Sequence, residues 1–388
     1  MPQKGDIIAG RFELLEPIGK GGQGVVWTVL DYTDKLNAKI QEQPHLRSHV
    51  FHPNLRTYDD GPIGTNRSFD MVSPKPEEIR KANAALKFLI NPDAKAIERF
   101  KLDYSAVKSL DDPRIIRYKD CDIPMFRNSD DPAWILMEYI DGGNLDDLIK
   151  VGSYRLDILG SLNLIEALLK AIDRAHTRDP QIIHRDLKPA NILLRSDLTP
   201  VIADFGICHF IDDKHISLSS TGEEVGARNY IAPELRGTKQ LQPSPQSDYY
   251  SLAKVLYFML SGGEVMDDES YDSENWDLRR DEGFSQQINY IYDRIFPKTI
   301  CKDPNERFRN GNDFLSEIQK ITTLVFEHYY PYEEGRKCIF CGEGHYICKA
   351  KPRWTEKVDW RFVCDNCGNV QYFQGEGAPG FQRVKKPQ

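Results

Sequence analysis

Long apolar runs are what this 388-residue chain most clearly lacks. Val255 to Leu260 is among its longest apolar stretches, whereas a helix that spans a bilayer needs roughly 18 such residues. The opening, MPQKGDIIAGRFE, also lacks the long apolar core of a signal peptide. We therefore expect a cytoplasmic protein without a membrane partner.

Excess positive charge is absent too. The formal net charge is -8, so the surface as a whole is not built to bind nucleic acid or anionic lipid. Cysteine is sparse over most of the chain: Cys121, Cys208 and Cys301 are scattered, and the other five lie in the last sixth. Scattered single cysteines suit a reducing compartment, and the late cluster needs its own explanation.

Among the features present, the stretch IGKGGQGVVW, residues 18–27, contains G-x-G-x-x-G in its literal form. That string occurs in the dinucleotide turn of Rossmann folds and in the ATP loop of protein kinases. In the dinucleotide turn the third glycine opens a helix, but Gly24 is followed by the β-branched and aromatic run VVWTVL. The preceding FELLEPI is also strand-like. This order favours a hairpin over phosphates, with a plain glycine-rich turn as the alternative.

Three downstream motifs decide between these interpretations. Residues 184–191 read HRDLKPAN, residues 204–206 read DFG, and residues 232–234 read APE. In this order they closely resemble the eukaryotic-type protein kinase family, in particular its bacterial Ser/Thr branch, over about residues 11–325. The alternative, the aminoglycoside-type small-molecule kinases, usually carry His-Gly-Asp and lack Ala-Pro-Glu, and this sequence has neither feature. The resemblance implies an α+β, two-lobed protein kinase fold, with a β-rich N-lobe over 11–140 and a helical C-lobe over 141–325.

The same resemblance implies the roles of the catalytic residues. Asp186 would accept or orient the proton of the incoming hydroxyl, and Lys188 would contact the γ-phosphate. Asn191 and Asp204 would supply oxygen ligands to Mg²⁺ (or Mn²⁺), a hard cation that accepts an amide and a carboxylate.

The ATP-binding residues implied by the resemblance lie in the N-lobe and in the hinge that follows it. Met137 would be the gatekeeper, backbone groups of residues 138–140 would bond adenine, and Asn144 would contact the ribose. The full set is Ile18, Gly19, Gly21, Gly22, Gly24, Val26, Ala85, Lys87, Met137, Glu138, Ile140, Asn144, Asn191 and Asp204.

Two lysines compete for the phosphate-binding position on the third strand. Lys39 lies fifteen residues after Gly24, close to the usual family distance, and Lys87 lies sixty-three after it. No helix pattern follows Lys39. After Lys87 come a short turn and a helical stretch from about 94 to 110, with apolar residues at spacings of three and four. We therefore choose Lys87.

The partner of Lys87 departs from the family pattern. The family has a glutamate in the helix, and alignment places Asp103 there. Aspartate carries the same charge on a stem one methylene shorter, so the pair requires the helix to sit closer. Glu98 lies five residues earlier and would point to a different face.

The segment between Asp204 and Glu234 is where regulation of the kinase is expected to act. It carries candidate phosphorylation sites, and Arg185 could bind a phosphate there by a charge-assisted pair, although serine-rich loops are also commonly just flexible. Ala227 stands where the family generally has threonine, which puts Ser/Thr selectivity in doubt. The candidate sites are Ser217, Ser219, Ser220 and Thr221.

Two further residues resemble structural, non-catalytic positions of the family. Asp248 resembles the buried aspartate that holds the catalytic loop, and Arg307 would pair with Glu234.

Outside the motifs, residues 1–10 are a leader, and an insertion from Asp31 to Arg80 separates the second and third strands. Loops of this length are normally functional or disordered, and the sequence does not choose between these. The insertion's three close histidines have no Cys or carboxylate framework for a metal.

The C-terminal cysteines form C-x-x-C-x22-C-x-x-C, at Cys338, Cys341, Cys364 and Cys367. Four thiolates that converge tetrahedrally are the preferred ligands of structural Zn²⁺, so a zinc-ribbon-like module is expected over 331–373, with disulfides as the alternative. His345 and Cys348 are spare donors that we interpret as loop residues. Residues 374–388 are expected to be a flexible tail.

The predicted function is that of an ATP- and Mg²⁺-dependent protein kinase, Ser/Thr-directed and acting also on itself, with a structural zinc ribbon. Residues 331–388 hold ten Lys/Arg against seven Asp/Glu, a mild basicity that permits nucleic-acid contact but does not argue strongly for it. We therefore expect the ribbon to dock a protein or to pack against the C-lobe. One alternative is a pseudokinase scaffold, in which Asp103 and Ala227 mark decay. The other is a sensor whose ribbon binds nucleic acid or a protein partner.

Overall fold

The computed structural model describes residues 3–9, 11–21, 24–32, 82–89, 94–123, 133–151, 154–205, 209–210, 227–236, 242–267, 270–280, 287–329, 343, 345–350, 360–366, 370–373 and 381–383. The chain divides into two compact units. The first comprises residues 1–109 and 116–141, and the second comprises residues 110–115 and 142–388. Among the described residues, no helix is both long enough and apolar enough to cross a membrane.

The described residues of the first unit form an antiparallel sheet with one helix. Its elements are β1 Ile7–Ile8, β2 Phe12–Gly21, β3 Gly24–Asp31, β4 Ala84–Phe88, α1 Ala94–Lys108, β5 Tyr118–Asp122 and β6 Trp134–Met137. The strand order is β1-β2-β3-β4-β6-β5. β2 and β3 form the hairpin expected around the glycine string, and β3 pairs with β4 although the insertion separates them in sequence.

The side chains on one face of this sheet form a hydrophobic core. Alternate positions along the strands share a face, so Phe12 and Leu14 of β2 pack with Trp27 and Val29 of β3. The Phe12 and Trp134 rings meet edge to face, with centroids 5.1 Å apart. This buried face leaves the opposite face to carry the polar residues of the site.

The second unit is mainly helical. Its helices are α2 Leu145–Lys150, α3 Ile158–His176, α4 Pro245–Ser261, α5 Ile288–Arg294 and α6 Gly311–Tyr329. All residues from Ser247 to Leu260 of α4 are buried, as expected for a helix enclosed by its own domain. Ser244 and Ser247 form a capping box at the start of α4, which satisfies backbone N–H groups there. α4 is therefore a rigid base for the loops around it.

Short strand pairs and a small sheet complete the second unit. β7 Tyr154–Leu156, β8 Ile182–Ile183, β9 Ile192–Leu194, β10 Pro200–Ile202 and β11 His209–Phe210 lie in the kinase-like region, where β9 pairs with β10 and β8 with β11. Near the C-terminus, β12 Tyr346–Ala350, β13 Trp360–Cys364 and β14 Val370–Phe373 form a three-stranded antiparallel sheet, and β15 Phe381–Arg383 follows. The interpretation of Cys348 as a loop residue is wrong, because Cys348 lies on β12 and pairs with Phe362.

Two strands differ from the expectations above. β1 lies inside the predicted leader and pairs with β2. β15 lies inside the stretch predicted to be a flexible tail, yet it pairs antiparallel with β7, with Phe381 opposite Leu156 and Arg383 opposite Tyr154. β1 is stabilised by a local hairpin with β2, whereas β15 is stabilised by a strand that is distant in the sequence, which no local pattern indicates.

Candidate active site

A single loop carries the three residues predicted to act on the phosphoryl group. It follows β8 and ends in a 3₁₀ turn at Pro189–Asn191. Asp248 of α4 is fully buried and accepts two backbone hydrogen bonds of 2.9 Å, from the N–H groups of His184 and Arg185. The predicted role of Asp248 as the anchor of this loop is thus confirmed.

His176, at the end of α3, completes this anchor. Its Nε2 lies 2.7 Å from Oδ2 of Asp248. Burial opposes ionisation of Asp248, but the hydrogen bonds from His176 and from the backbone of Arg185 outweigh it and hold the pKa of Asp248 below its usual range. Arg185 has a φ of +71°, a left-handed conformation that its bond to Asp248 stabilises.

Asp186, Lys188 and Asn191 converge within this loop. Nζ of Lys188 lies 2.9 and 3.1 Å from the two carboxylate oxygens of Asp186. The amide Nδ2 of Asn191 donates to the backbone oxygen of Asp186 at 2.8 Å and to its Oδ2 at 2.9 Å. Because both amide protons are used, the oxygen of Asn191 is the group left to coordinate a cation, and that oxygen fits a Mg²⁺ ligand.

The segment that holds Asp204 is tied to this loop. The N–H of Ala203 donates to the backbone oxygen of Asn191 at 2.9 Å, and Nε2 of His184 lies 3.2 Å from the oxygen of Ala203. The rings of His184 and Phe205 lie 4.4 Å apart. Asp204 itself has a φ of +63°. The two predicted Mg²⁺ ligands are therefore on adjoining, hydrogen-bonded segments.

In the first unit, Lys87 forms an ion pair with Asp103. Nζ of Lys87 lies 2.8 Å from Oδ2 of Asp103, and both side chains are buried. α1 starts at Ala94, as the sequence indicates, and places Asp103 on its buried face with Phe100 and Val107. The competing Lys39 lies outside the described residues.

The glycine hairpin is in register with Lys87. Gly19 of β2 pairs with Val26 of β3, which pairs with Lys87 of β4. A Cβ at Gly24 would lie 1.8 Å from the backbone oxygen of Phe88, whereas a Cβ at Gly19 would have no atom within 4 Å. The described part of the hairpin thus leaves open space at Gly19, which fits the close approach of a phosphate group. Ile18 and Gly21 lie on β2, and Gly22 lies outside the described residues.

The predicted adenine and ribose contacts lie at the end of the first unit and the start of the second. Ala85 pairs with Met137 across β4 and β6, and Ile140 is buried. The N–H of Glu138 donates to the oxygen of Arg117 at 2.9 Å. Asn144 caps α2: its Oδ1 accepts from the N–H of Asp147 at 2.8 Å. Its amide is thus used within the chain, and contact with a ribose stays a prediction.

The predicted scaffold pair is also present. Arg307 donates to both carboxylate oxygens of Glu234 at 2.8 Å, and the hydroxyl of Ser247 donates to Oε1 of Glu234 at 2.8 Å. The buried bidentate pair connects the Ala-Pro-Glu segment to the turn that precedes Arg307, and the bond from Ser247 connects the same segment to α4. Ala227 begins a 3₁₀ turn that leads into that segment. The four candidate phosphorylation sites, Ser217, Ser219, Ser220 and Thr221, lie outside the described residues.

No group of three or more potential metal-ligating His, Cys, Asp or Glu residues occurs within the described part of the chain. Of the four predicted zinc ligands, only Cys364 belongs to a described element, as the last residue of β13. Cys338, Cys341 and Cys367 lie outside the described residues. The two CxxC motifs therefore remain a prediction from the sequence.

Comparison with known proteins supports the same family. A profile of the protein kinase domain matches residues 72–322, which is more than half of the chain. The chain belongs to the protein kinase family. The match contains Lys87, the catalytic loop and the Glu234–Arg307 pair, and it begins after the glycine hairpin.

Bacterial kinases are among the similar proteins. The serine/threonine-protein kinase PrkC of Bacillus subtilis is 29% identical over 243 residues, which is 60% of this chain and 35% of PrkC. The serine/threonine-protein kinase PknA of Mycobacterium tuberculosis is 28% identical over 334 residues, which is 82% of this chain and 63% of PknA. The chain thus covers less than two thirds of the length of these relatives.

Sequence reasoning missed two residues of this candidate site. His176 supports Asp248, and the hydroxyl of Tyr118 donates to Oδ1 of Asp103 at 2.8 Å. His176 stands eight residues before His184, a spacing that could have drawn attention to it. Tyr118 has no such signal, because its contact depends on strand register.

Proposed function

We propose that this chain is an ATP- and Mg²⁺-dependent protein kinase that phosphorylates serine and threonine residues of proteins, including itself. The observation that carries the proposal is the loop geometry: Asp186, Lys188 and Asn191 are joined by side-chain hydrogen bonds of 2.8–3.1 Å. The names of the two relatives, both serine/threonine-protein kinases, support the substrate class. A cytoplasmic location stays a prediction from the sequence.

The residues of the loop have separable tasks in this proposal. Asp186 orients the substrate hydroxyl and accepts its proton, since its carboxylate is held on two sides and only partly exposed. Lys188 moves from Asp186 to the γ-phosphate. Asn191 and Asp204 would hold Mg²⁺ (or Mn²⁺), which would supply positive charge to neutralise the phosphates.

The first unit supplies nucleotide binding in the same proposal. Lys87, oriented by Asp103, binds the phosphates of ATP beneath the glycine hairpin. Ala85 and Met137 line the adenine position, backbone groups of 138–140 bond its edge, and Asn144 contacts the ribose. The open space beside Gly19 supports the phosphate position.

The enzyme is tested with labelled ATP and Mg²⁺. We expect Asp186→Asn to lower phosphoryl transfer by at least about 100-fold, the usual scale for loss of a general base. Asp197→Asn is the matched control, because Asp197 lies on an exposed turn between β9 and β10. Equal labelling of the wild-type protein and Asp186→Asn would contradict the enzyme proposal, and label found only on tyrosine would contradict the Ser/Thr assignment.

A pseudokinase scaffold makes a different prediction in that assay. It would bind ATP without turnover in the wild-type protein. The ion pair of Lys87 with Asp103 favours an enzyme, because the shorter aspartate still reaches the lysine at 2.8 Å.

We further propose that residues 331–373 bind one structural Zn²⁺ through Cys338, Cys341, Cys364 and Cys367. The described backbone supports this: Tyr346 pairs with Cys364, and the N–H of His345 donates to Oδ1 of Asp365 at 2.7 Å. These contacts bring the residue four positions after Cys341 beside the end of β13. A module this small gains folding energy from its metal.

Metal analysis of the purified full-length chain tests the zinc proposal. We expect about one zinc per chain, lost in Cys338→Ser and retained in Cys301→Ser, whose cysteine is outside the motif. A zinc-free wild-type protein would contradict it. We propose a protein as the docking partner of this module; binding of single-stranded nucleic acid at physiological salt would instead support the sensor alternative.

A further inference from the structure

A buried chain of hydrogen bonds extends the Lys87–Asp103 pair by one residue. Asp103 accepts from Nζ of Lys87 on Oδ2 at 2.8 Å and from the hydroxyl of Tyr118 on Oδ1 at 2.8 Å. Asp103 is 0% exposed and Tyr118 is 3% exposed. Each carboxylate oxygen therefore has a separate donor in a site that water hardly reaches.

Strand register places Tyr118 on this face of the sheet. Tyr118 pairs with Met137, and Met137 pairs with Ala85, which stands two residues before Lys87 on β4. Residues directly opposite, and residues two apart on one strand, share a face. A bulge follows at once, since the pairing shifts between Tyr118 and Asp120.

The ring of Tyr118 is itself held in place. It stacks on Tyr104 of α1, with centroids 6.1 Å apart and planes within 10°. Tyr104 is the neighbour of Asp103 in sequence, so the tyrosine hydroxyl and the aspartate are fixed relative to each other by the same contact.

The hydrogen bond between Tyr118 and Asp103 also affects the orientation of Lys87. A carboxylate bonded on one oxygen only can turn about its stem, whereas donors on both oxygens fix its plane. The stem of aspartate is one methylene shorter than that of glutamate, and the hydroxyl of Tyr118 donates to the carboxylate of Asp103 at 2.8 Å. The direction in which Lys87 presents its ammonium group therefore depends on Tyr118.

We propose that Tyr118 is a positioning residue for ATP binding and phosphoryl transfer, acting on Lys87 through Asp103. The proposal rests on the proposed kinase function. Tyr118 does not contact the reacting atoms; it compensates for the aspartate that replaces the glutamate of the family pattern. In this proposal Asp103 and Tyr118 together orient Lys87, as one longer acidic side chain would do alone.

The test compares Tyr118→Phe with Tyr104→Phe, which removes a hydroxyl from the stacked ring and leaves Asp103 untouched. We expect Tyr118→Phe to lower kcat/KM for ATP about tenfold, the scale of a lost hydrogen bond to a charged group, and Tyr104→Phe to lower it less than about twofold. In parallel, covalent labelling of Lys87 by 5′-fluorosulfonylbenzoyl adenosine, measured by peptide mass spectrometry, is expected to slow only in Tyr118→Phe.

A rescue variant separates positioning from folding. Asp103→Glu adds one methylene and Tyr118→Phe removes one oxygen, so the double variant conserves the number of heavy atoms at this site and limits overpacking. We expect the double variant to recover most of the kcat/KM lost in Tyr118→Phe, and Asp103→Glu alone to be impaired because both groups compete for one space.

Two results would overturn the proposal: Tyr118→Phe matching Tyr104→Phe in both turnover and labelling, or a lower melting temperature with an unchanged labelling rate. If the wild-type protein transfers no phosphate, the kinase proposal fails by itself. The labelling comparison then still decides whether Tyr118 positions Lys87.

Discussion

At the scale of single residues, two glycines of one hairpin are required for different reasons. Gly24 approaches β4 so closely that a Cβ would lie 1.8 Å from the oxygen of Phe88. No protein atom lies within 4 Å of the position of a Cβ at Gly19. Gly24 is thus explained by packing, whereas Gly19 is explained by the ligand that we propose.

We expect substitution by alanine to lower stability at Gly24 and ATP binding at Gly19. Gly24→Ala requires a backbone shift in the sheet and is expected to cost about 2 kcal/mol of unfolding free energy or more. Gly19→Ala is expected to leave stability nearly unchanged and to weaken ATP binding. Urea unfolding and ATP titration check this pair, and a destabilised Gly19→Ala with normal ATP affinity would contradict it.

The buried Asp248 predicts a pH dependence of stability. Its pKa is lower in the folded protein than in the unfolded chain, so its contribution is complete above the unfolded pKa of about 3.9 and is lost as the pH falls through the folded value. We expect Asp248→Asn to cost roughly 3 kcal/mol at pH 7. The gap to the wild-type protein is expected to narrow below about pH 4.

Urea unfolding between pH 7 and pH 3 measures that gap, with Asp197→Asn as the control for the same substitution on an exposed turn. A gap that is constant over the whole range would show that the charge of Asp248 does not contribute. The two hydrogen bonds that Asp248 accepts from backbone N–H groups would then account for its role as the anchor of the loop.

At the scale of elements, the pairing of β3 with β4 is the informative contact. About fifty residues separate these strands, yet Val26 lies opposite Lys87 and Val29 opposite Ala84. The family profile starts at residue 72, so it does not include β2 or β3. Sheet register, rather than sequence similarity, connects the glycine hairpin to the matched kinase region.

The β7–β15 pair predicts that the C-terminal stretch protects a segment of the kinase domain. Antiparallel pairing shields the backbone N–H groups of β7 from solvent exchange. We expect hydrogen exchange at Tyr154–Leu156 to be slower in the full chain than in a chain that ends at Gly380. Equal exchange rates would contradict the pairing, and unchanged exchange in α3 serves as the internal control.

At the scale of the whole molecule, the zinc proposal predicts a separable loss of order. Chelation of zinc is expected to speed hydrogen exchange in β12, β13 and β14, since a small module depends on its metal for folding. The buried core around α4 is expected to keep its protection. Cys301→Ser should respond to the chelator as the wild-type protein does, and simultaneous loss of protection in α4 would contradict a separable module.

Much of the candidate site could be predicted because its residues are close in sequence. The loop from His184 to Asn191 contains its own hydrogen-bonding partners. Alignment with the family pattern selected Asp103 as the partner of Lys87, and the two side chains form an ion pair. The Glu234–Arg307 pair was also predictable, although these residues are 73 positions apart, because each stands in a recognisable motif.

The sequence by itself therefore determined the family, indicated the candidate catalytic loop and favoured Lys87 over Lys39, since each depends on short motifs and on helix and strand periodicity. Only the tertiary structure decided that Tyr118 supports Asp103, that His176 supports Asp248, and that β15 pairs with β7. The physical reason is that register, a bulge and a shared buried acceptor join residues that are distant in the chain, and such contacts have no local pattern.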